Sequence, residues 1–147
     1  MRLIGLLPIL LAACAPAPGA SPAGHAVILT PSALTGAQAE DVSGLRYDSL
    51  WIPTDSLVSA IERNLEPALA KALERARVRE RPASYWRQYV GVYRDGRPEV
   101  VINGFCEFNA AWRSRFVRVV DGGACYFRAR ADPRTGQLGA LTLHPEA

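Results

Sequence analysis

The residue types that most often perform catalysis occur in this chain without the spacing that a catalytic site needs. The two histidines are His25 and His144, and His144 lies too close to the carboxyl terminus to be held as a rigid general base. No Gly-x-Ser-x-Gly segment and no glycine-rich phosphate loop before a helix is present. Glu99 and Glu107 are too far apart to form a carboxylate pair, and two histidines with three cysteines do not give a zinc ligand pattern. We therefore expect no catalytic residues, no metal and no cofactor, and the sequence predicts a protein that is not an enzyme.

Tyrosine and arginine side chains alternate with apolar ones in the second half of the chain, which is a pattern of recognition surfaces. If each hairpin turn is a three-residue loop with glycine in the left-handed position, Val90 faces Val100 and Val119 faces Cys125. The Tyr and Arg side chains then share one face of a sheet. The predicted binding face comprises Arg87, Tyr89, Tyr93, Arg118, Tyr126, Arg128 and Arg130. Two alternatives remain open: arginine stems cover exposed rings, or residues 25–52 fold over this face.

The elements that must position these residues are a helix followed by strands. After Thr54-Asp55-Ser56, which offers capping oxygens, apolar residues recur about every four positions from Leu57 to Ala76. Pro67 interrupts this helix and predicts a kink or a split. From residue 84 the period becomes two, and strands are predicted at 85–94, 98–106, 115–121, 124–131 and 138–143. The predicted fold class is α+β, a kinked N-terminal helix packed on an antiparallel four- to five-stranded meander.

Charge is unevenly distributed along the chain. Residues 25–74 carry three basic and seven acidic side chains, whereas residues 75–147 carry thirteen arginines and seven acidic side chains. A basic half is typical of proteins that meet an anionic partner. Lys71 is the only lysine, however, and such an arginine bias is also what a GC-rich genome produces.

The amino terminus carries the most specific motif in the chain. Arg2 precedes an apolar run that ends in Leu11-Ala12-Ala13-Cys14, and the run is too short to span a bilayer. This segment resembles the lipobox signal of bacterial lipoproteins. The resemblance implies a signal peptide at 1–13, lipidation of Cys14, and an anchor in the cell envelope. Ala15 in place of Asp favours the outer membrane, with the domain facing the periplasm. An ordinary secretory signal cut at Ala13 or Ala17 is the alternative.

The domain organisation follows from this resemblance. Residues 14–24 form the lipidated cysteine and a Pro/Ala-rich tether, and 25–147 form a single α+β domain. If Cys14 carries lipid, Cys106 and Cys125 are left as a pair, and the oxidising envelope favours a disulfide between them.

The order of one helix and four strands is similar to the cystatin-like architecture. Gln88-Tyr-Val-Gly-Val92 approaches the Gln-x-Val-x-Gly of cystatin inhibitors, but its glycine comes one place early and it lies inside a predicted strand. The sequence thus predicts a non-enzymatic binding or structural module of the envelope. Its expected partners are the membrane, through the anchor, and an envelope protein, peptide or glycan, with no nucleic acid. The alternative is an inhibitor of an envelope or foreign hydrolase, with a hairpin tip or the loop 107–114 entering the cleft.

Overall fold

The computed structural model describes residues 24–34, 47–118 and 122–144. The described part has an α+β fold, with one long helix packed on a mixed sheet of six strands. The strands are β1 (Ala26–Ile28), β2 (Ser49–Trp51), β3 (Trp86–Arg94), β4 (Arg97–Phe105), β5 (Tyr126–Ala131) and β6 (Leu138–Leu143), and the helix α1 spans Asp55–Arg75. Cys14 and most of the predicted tether lie outside the described residues.

Helix α1 begins where the capping residues predict. The side chain of Thr54 accepts a hydrogen bond from the backbone N–H of Leu57, and Pro53 precedes it. The buried side chains form one stripe: Val58, Ile61, Leu65, Leu69 and Leu73. This stripe is the face that α1 packs on the sheet.

The predicted kink or split of the helix at Pro67 is not confirmed, because α1 is continuous from Asp55 to Arg75. Pro67 and Arg63 are both exposed, so water can hydrate the Arg63 carbonyl that Pro67 leaves without its helical donor. The helix is also not N-terminal, since β1 and β2 precede it. It ends at Arg75: Arg77 takes a left-handed φ of 57°, and the Val78 N–H bonds to the Leu73 carbonyl.

The sheet has the order β1-β3-β4-β5-β6, and β2 pairs with β3 as well. Strand β1 runs parallel to the first half of β3, and β2 runs antiparallel to its second half. One edge of β3 is therefore shared by two short strands, and this arrangement extends the predicted antiparallel meander into a mixed sheet. The predicted strand at 115–121 is wrong for residues 115–118, which form no strand, and 119–121 lie outside the described residues.

The register of the first hairpin differs from the prediction. Asp95 and Gly96 have φ values of 50° and 70°, so the turn is a two-residue type I′ turn, and Arg94 pairs with Arg97. Val90 consequently faces Val101, where a three-residue loop would have placed it opposite Val100. A shift of one residue moves every side chain of one strand to the other face. The division of residues between faces that the sequence predicted is therefore wrong.

Both faces of the sheet are buried as a result. The helix covers the face that carries Tyr89, Ile102 and Phe127. The opposite face carries two further clusters, which consist of Leu29, Leu34, Val90, Val92, Val101 and Phe116 in one, and Phe105, Trp112 and Val117 in the other. Segments 29–34 and 47–50 pack there, so the alternative in which residues 25–52 fold over a sheet face is partly realised.

The loop of residues 106–118, here called the clamped loop, closes the rest of that opposite face. A disulfide joins Cys106 to Cys125 with Cα atoms 5.0 Å apart, which is the pairing that the sequence predicts. Gln88, fully buried in β3, donates to the carbonyls of Trp112 and Arg115 at 2.6 Å each and accepts from the N–H of Val117 at 2.8 Å. Asn103 donates to both Gln88 and the Val117 carbonyl. Side-chain amides thus replace strand pairing as the support of this loop.

Candidate binding pocket

A pocket of about 400 Å³ opens where three distant segments of the chain meet. The start of β1, the solvent-side edge of α1 and the 3-10 turn Pro82–Ser84 surround it, and β3 provides its floor. The lining residues are Gly24, His25, Glu62, Arg63, Glu66, Pro82, Ala83 and Arg87. Because four of these eight carry a formal charge, the pocket suits a polar ligand.

A buried ionic network forms the floor of the pocket. Arg87 Nε lies 2.8 Å from Glu62 Oε1, and the Tyr89 hydroxyl donates a hydrogen bond to the same oxygen. Arg87 Nη1 also donates to the Pro82 carbonyl at 3.1 Å. Arg87 Nε is within ion-pair distance of Glu62, but the direction of its N–H does not give a hydrogen bond. This network ties α1 to β3 and to the turn after the helix.

Two polar atoms of the network remain for a ligand. Within the described part of the chain, Glu62 Oε2 and Arg87 Nη2 have no hydrogen-bond partner. Both side chains line the pocket, although they are only 19% and 9% exposed. The floor therefore offers one strong acceptor beside one strong donor.

Burial raises the pKa of Tyr89 well above its ordinary value of 10.0, and the neighbouring Glu62 carboxylate raises it further. The phenol is consequently neutral throughout the physiological range and remains a donor to Glu62. This arrangement supports a fixed binding site.

An aromatic cluster lies beside the pocket and shares His25 with its lining. The His25 ring lies 5.1 Å from the Trp86 ring, and His25 Nδ1 donates to the Ala83 carbonyl at 3.2 Å. The ring centroids of Trp86 and Phe108 are 5.8 Å apart, and Phe108 is 68% exposed. A charged floor thus adjoins an exposed apolar surface.

The predicted binding face is divided by the observed register, and this corrects the sequence prediction. Arg87 and Tyr89 lie on the helix side of the sheet, where Tyr89 is fully buried and Arg87 is 7% exposed. Tyr93 lies on that side too, at the far end of β3, and is 38% exposed. The pairing of β5 with β4 places the residues Tyr126, Arg128 and Arg130 on the opposite side. Arg118 is exposed at the end of the clamped loop.

The Tyr126 and Arg128 side chains cover rings and loop atoms. Tyr126 donates to Glu107 at 3.0 Å, and the Arg128 guanidinium stands 6.0 Å from the Phe116 ring. Burial lowers the pKa of His144, and the charge of Arg128 lowers it further. These contacts favour the alternative that the arginines cover rings, as the sequence analysis allowed.

Sequence reasoning missed Glu62 because the helix was predicted from its capping and apolar residues. A signal was present: Glu62 is four residues after Val58 and three before Leu65, which places it beside the buried stripe. No pattern in the sequence could connect it to Gly24, His25 and Arg87.

No protein-family model, curated protein or solved structure matches this chain. Among the described residues, no group of three or more His, Cys, Asp or Glu side chains could hold a metal ion. The helix that the structure describes is not apolar enough to cross a membrane.

Proposed function

We propose that this protein is a lipid-anchored protein of the cell envelope whose domain binds a glycan in the pocket between α1 and β1 and performs no catalysis. The proposed localisation in the cell envelope rests on the lipobox-like segment that ends at Cys14. The binding role rests on the pocket floor, where Arg87 Nε lies 2.8 Å from Glu62 Oε1, while Glu62 Oε2 and Arg87 Nη2 make no hydrogen bond within the described residues. This pair is the observation that carries the proposal.

A glycan fits the chemistry of the floor and of the His25 ring together. Each sugar hydroxyl can donate to Glu62 and accept from Arg87, which matches an acceptor and a donor held side by side. The C–H face of a sugar ring can pack on the ring of His25, which lines the pocket. A buried ion pair is weak evidence for a stabilising role alone, because its desolvation offsets much of its attraction.

The binding test uses an oligosaccharide of N-acetylglucosamine as the probe, titrated into the full chain by calorimetry. Glu62→Gln should weaken binding about tenfold or more, the effect expected when one charged hydrogen bond is lost. His25→Ala should weaken it less, without lowering the melting temperature, because His25 is exposed. Glu74→Gln removes the same charge from an exposed position of the same helix and should change nothing. If the chain does not bind the oligosaccharide at millimolar concentration, the glycan proposal is overturned. Wild-type affinity in both Glu62→Gln and His25→Ala would overturn it as well.

The proposed envelope localisation is tested separately, by intact mass spectrometry of the protein from its native membrane fraction. An amino terminus at Cys14 that carries acyl mass is the expected result, together with a mass gain on reduction of the Cys106–Cys125 bridge. An unacylated amino terminus further along the chain would show a secreted domain without an anchor.

The alternative function, inhibition of an envelope or foreign hydrolase, is favoured by one observation. The clamped loop is held by the disulfide and by Gln88, yet it exposes Phe108. A preorganised loop with an exposed aromatic side chain can enter a cleft at low entropic cost. Inhibition of a protease or lysozyme that Phe108→Ala abolishes would establish this function, whereas the pocket variants would leave it unchanged.

A further inference from the structure

A second groove, of about 610 Å³, lies at the opposite end of the sheet from the pocket. The beginning of β4, the end of β5, the turn after it and the beginning of β6 surround it. Its charged lining residues are Arg97, Glu99, Arg130, Asp132 and Arg134. The glycan proposed above does not use this groove.

The two acidic side chains of the groove are already paired. Glu99 lies 3.3 Å from Arg94 across the hairpin, and Asp132 lies 3.6 Å from Arg134. Within the described residues, Arg97 and Arg130 have neither an ion pair nor a hydrogen bond from their side chains. The groove therefore keeps two positive charges that no acidic partner neutralises.

The hairpin places the charges of Arg94 and Arg97 opposite each other, at a cost in stability. Arg94 pairs directly with Arg97 in the register, and like charges opposite each other on one sheet face are destabilising. In the described structure, Arg94 Nε and Nη2 and Glu99 Oε2 are also buried without a hydrogen-bond partner. The two Arg94 nitrogens are donors that an anionic ligand or ordered water can satisfy, whereas Glu99 Oε2 is an acceptor that ordered water can satisfy.

The strand register brings Arg130 to the same groove from the neighbouring strand. Arg130 pairs with Val101, four residues along β4 from Arg97, or about 13 Å at the usual rise of a strand. Both side chains line the groove from the face of the sheet opposite α1. A ligand in the groove can thus meet both guanidinium groups.

We propose that this groove binds a phosphate-bearing ligand through Arg97 and Arg130. A phosphate monoester presents three acceptor oxygens and close to two negative charges at neutral pH, so one group can neutralise both arginines. The guanidinium fork matches phosphate geometry in a bidentate manner. A single carboxylate carries one charge and leaves one arginine unneutralised, whereas a dicarboxylate such as succinate carries two charges but has only two oxygens on each group, so it tests whether charge alone suffices. The phosphate comes from a soluble phosphate ester or from a lipid headgroup.

The test is calorimetric titration of the full chain with inorganic pyrophosphate, and with succinate as a carboxylate comparison. Pyrophosphate should bind, and succinate should bind at least about tenfold more weakly. The double variant Arg97→Gln/Arg130→Gln should lose about tenfold or more in pyrophosphate affinity while keeping its melting temperature, because neither side chain has a partner among the residues that the structure describes. Arg79→Gln, a matched removal of charge from an exposed arginine outside the groove, should bind as the wild type does.

The outcomes distinguish a soluble phosphate ester from a lipid headgroup, and they include results that would overturn the proposal. Saturable pyrophosphate binding without vesicle binding assigns a soluble phosphate ester. Binding of the Cys14→Ser chain to vesicles that contain phosphatidic acid, whose headgroup is a phosphate monoester, assigns a lipid headgroup if it is lost in the double variant. No binding of either probe, equal binding of succinate, or equal loss in Arg79→Gln would overturn the proposal. None of these results depends on Glu62, so failure of the phosphate proposal can be distinguished from failure of the glycan proposal.

Discussion

Replacing Gln88 by leucine is expected to lower the free energy of unfolding by about 4 kcal/mol, because several buried polar groups would lose their partner. The carbonyls of Trp112 and Arg115 and the N–H of Val117 all bond to this side chain, which has no exposed surface. Leucine has a similar volume, so the loss reports hydrogen bonding and not a cavity. Urea denaturation measures it.

The same variant should release the clamped loop locally. Arg113 and Arg115 are exposed residues of this loop, so trypsin should cleave there faster than in the wild type while the helix remains intact. Gln137→Leu, an exposed glutamine, is the control and should change neither stability nor cleavage. A Gln88→Leu chain within about 0.5 kcal/mol of the wild type, the range of ordinary surface changes, would show that the amide does not hold the loop.

Gly104→Ala is expected to be the most disruptive single-methyl change, costing about 4 kcal/mol or preventing folding. A Cβ at Gly104 would stand 1.9 Å from Phe127 Cε1, and that ring is fully buried under the helix. A glycine inside a strand predicts a bulge or a close approach, and Gly104 leaves space for the ring of its cross-strand partner, Phe127. Thermal unfolding followed by circular dichroism measures the effect.

The matched control is Gly139→Ala, which places the same methyl in strand β6 with no heavy atom within 4 Å of it. This variant should match or slightly exceed the wild type in stability. Adding Phe127→Leu to Gly104→Ala should recover part of the loss, because the smaller side chain leaves room for the methyl. If the double variant is less stable than Gly104→Ala alone, the steric explanation is wrong.

Several elements could be predicted from the sequence because local chemistry specifies them. The Thr54 cap and the four-residue recurrence of Ile61, Leu65 and Leu69 predict α1, and alternation predicts β3 and β4 to within about one residue. The Cys106–Cys125 pairing follows once Cys14 is assigned to lipid. These features depend on neighbours in the chain.

The faces of the sheet and the site were decided only by the tertiary structure. Asp95-Gly96 is compatible with loops of two or three residues, and one residue of difference exchanges the faces, which is why Tyr89 is buried where the sequence predicted exposure. The pocket joins Gly24 and His25 to Glu62 and Arg87 across as many as 63 residues of chain, and such a contact depends on how α1 packs on the sheet. By itself, the sequence determined helix α1, its Thr54 cap and strands β3 and β4, because each needs only local contacts. The cysteine pair followed by elimination once Cys14 was set aside. The Glu62–Arg87 site and the arginine groove required the packed structure, because burial and the absence of a neutralising partner are properties of the assembled chain.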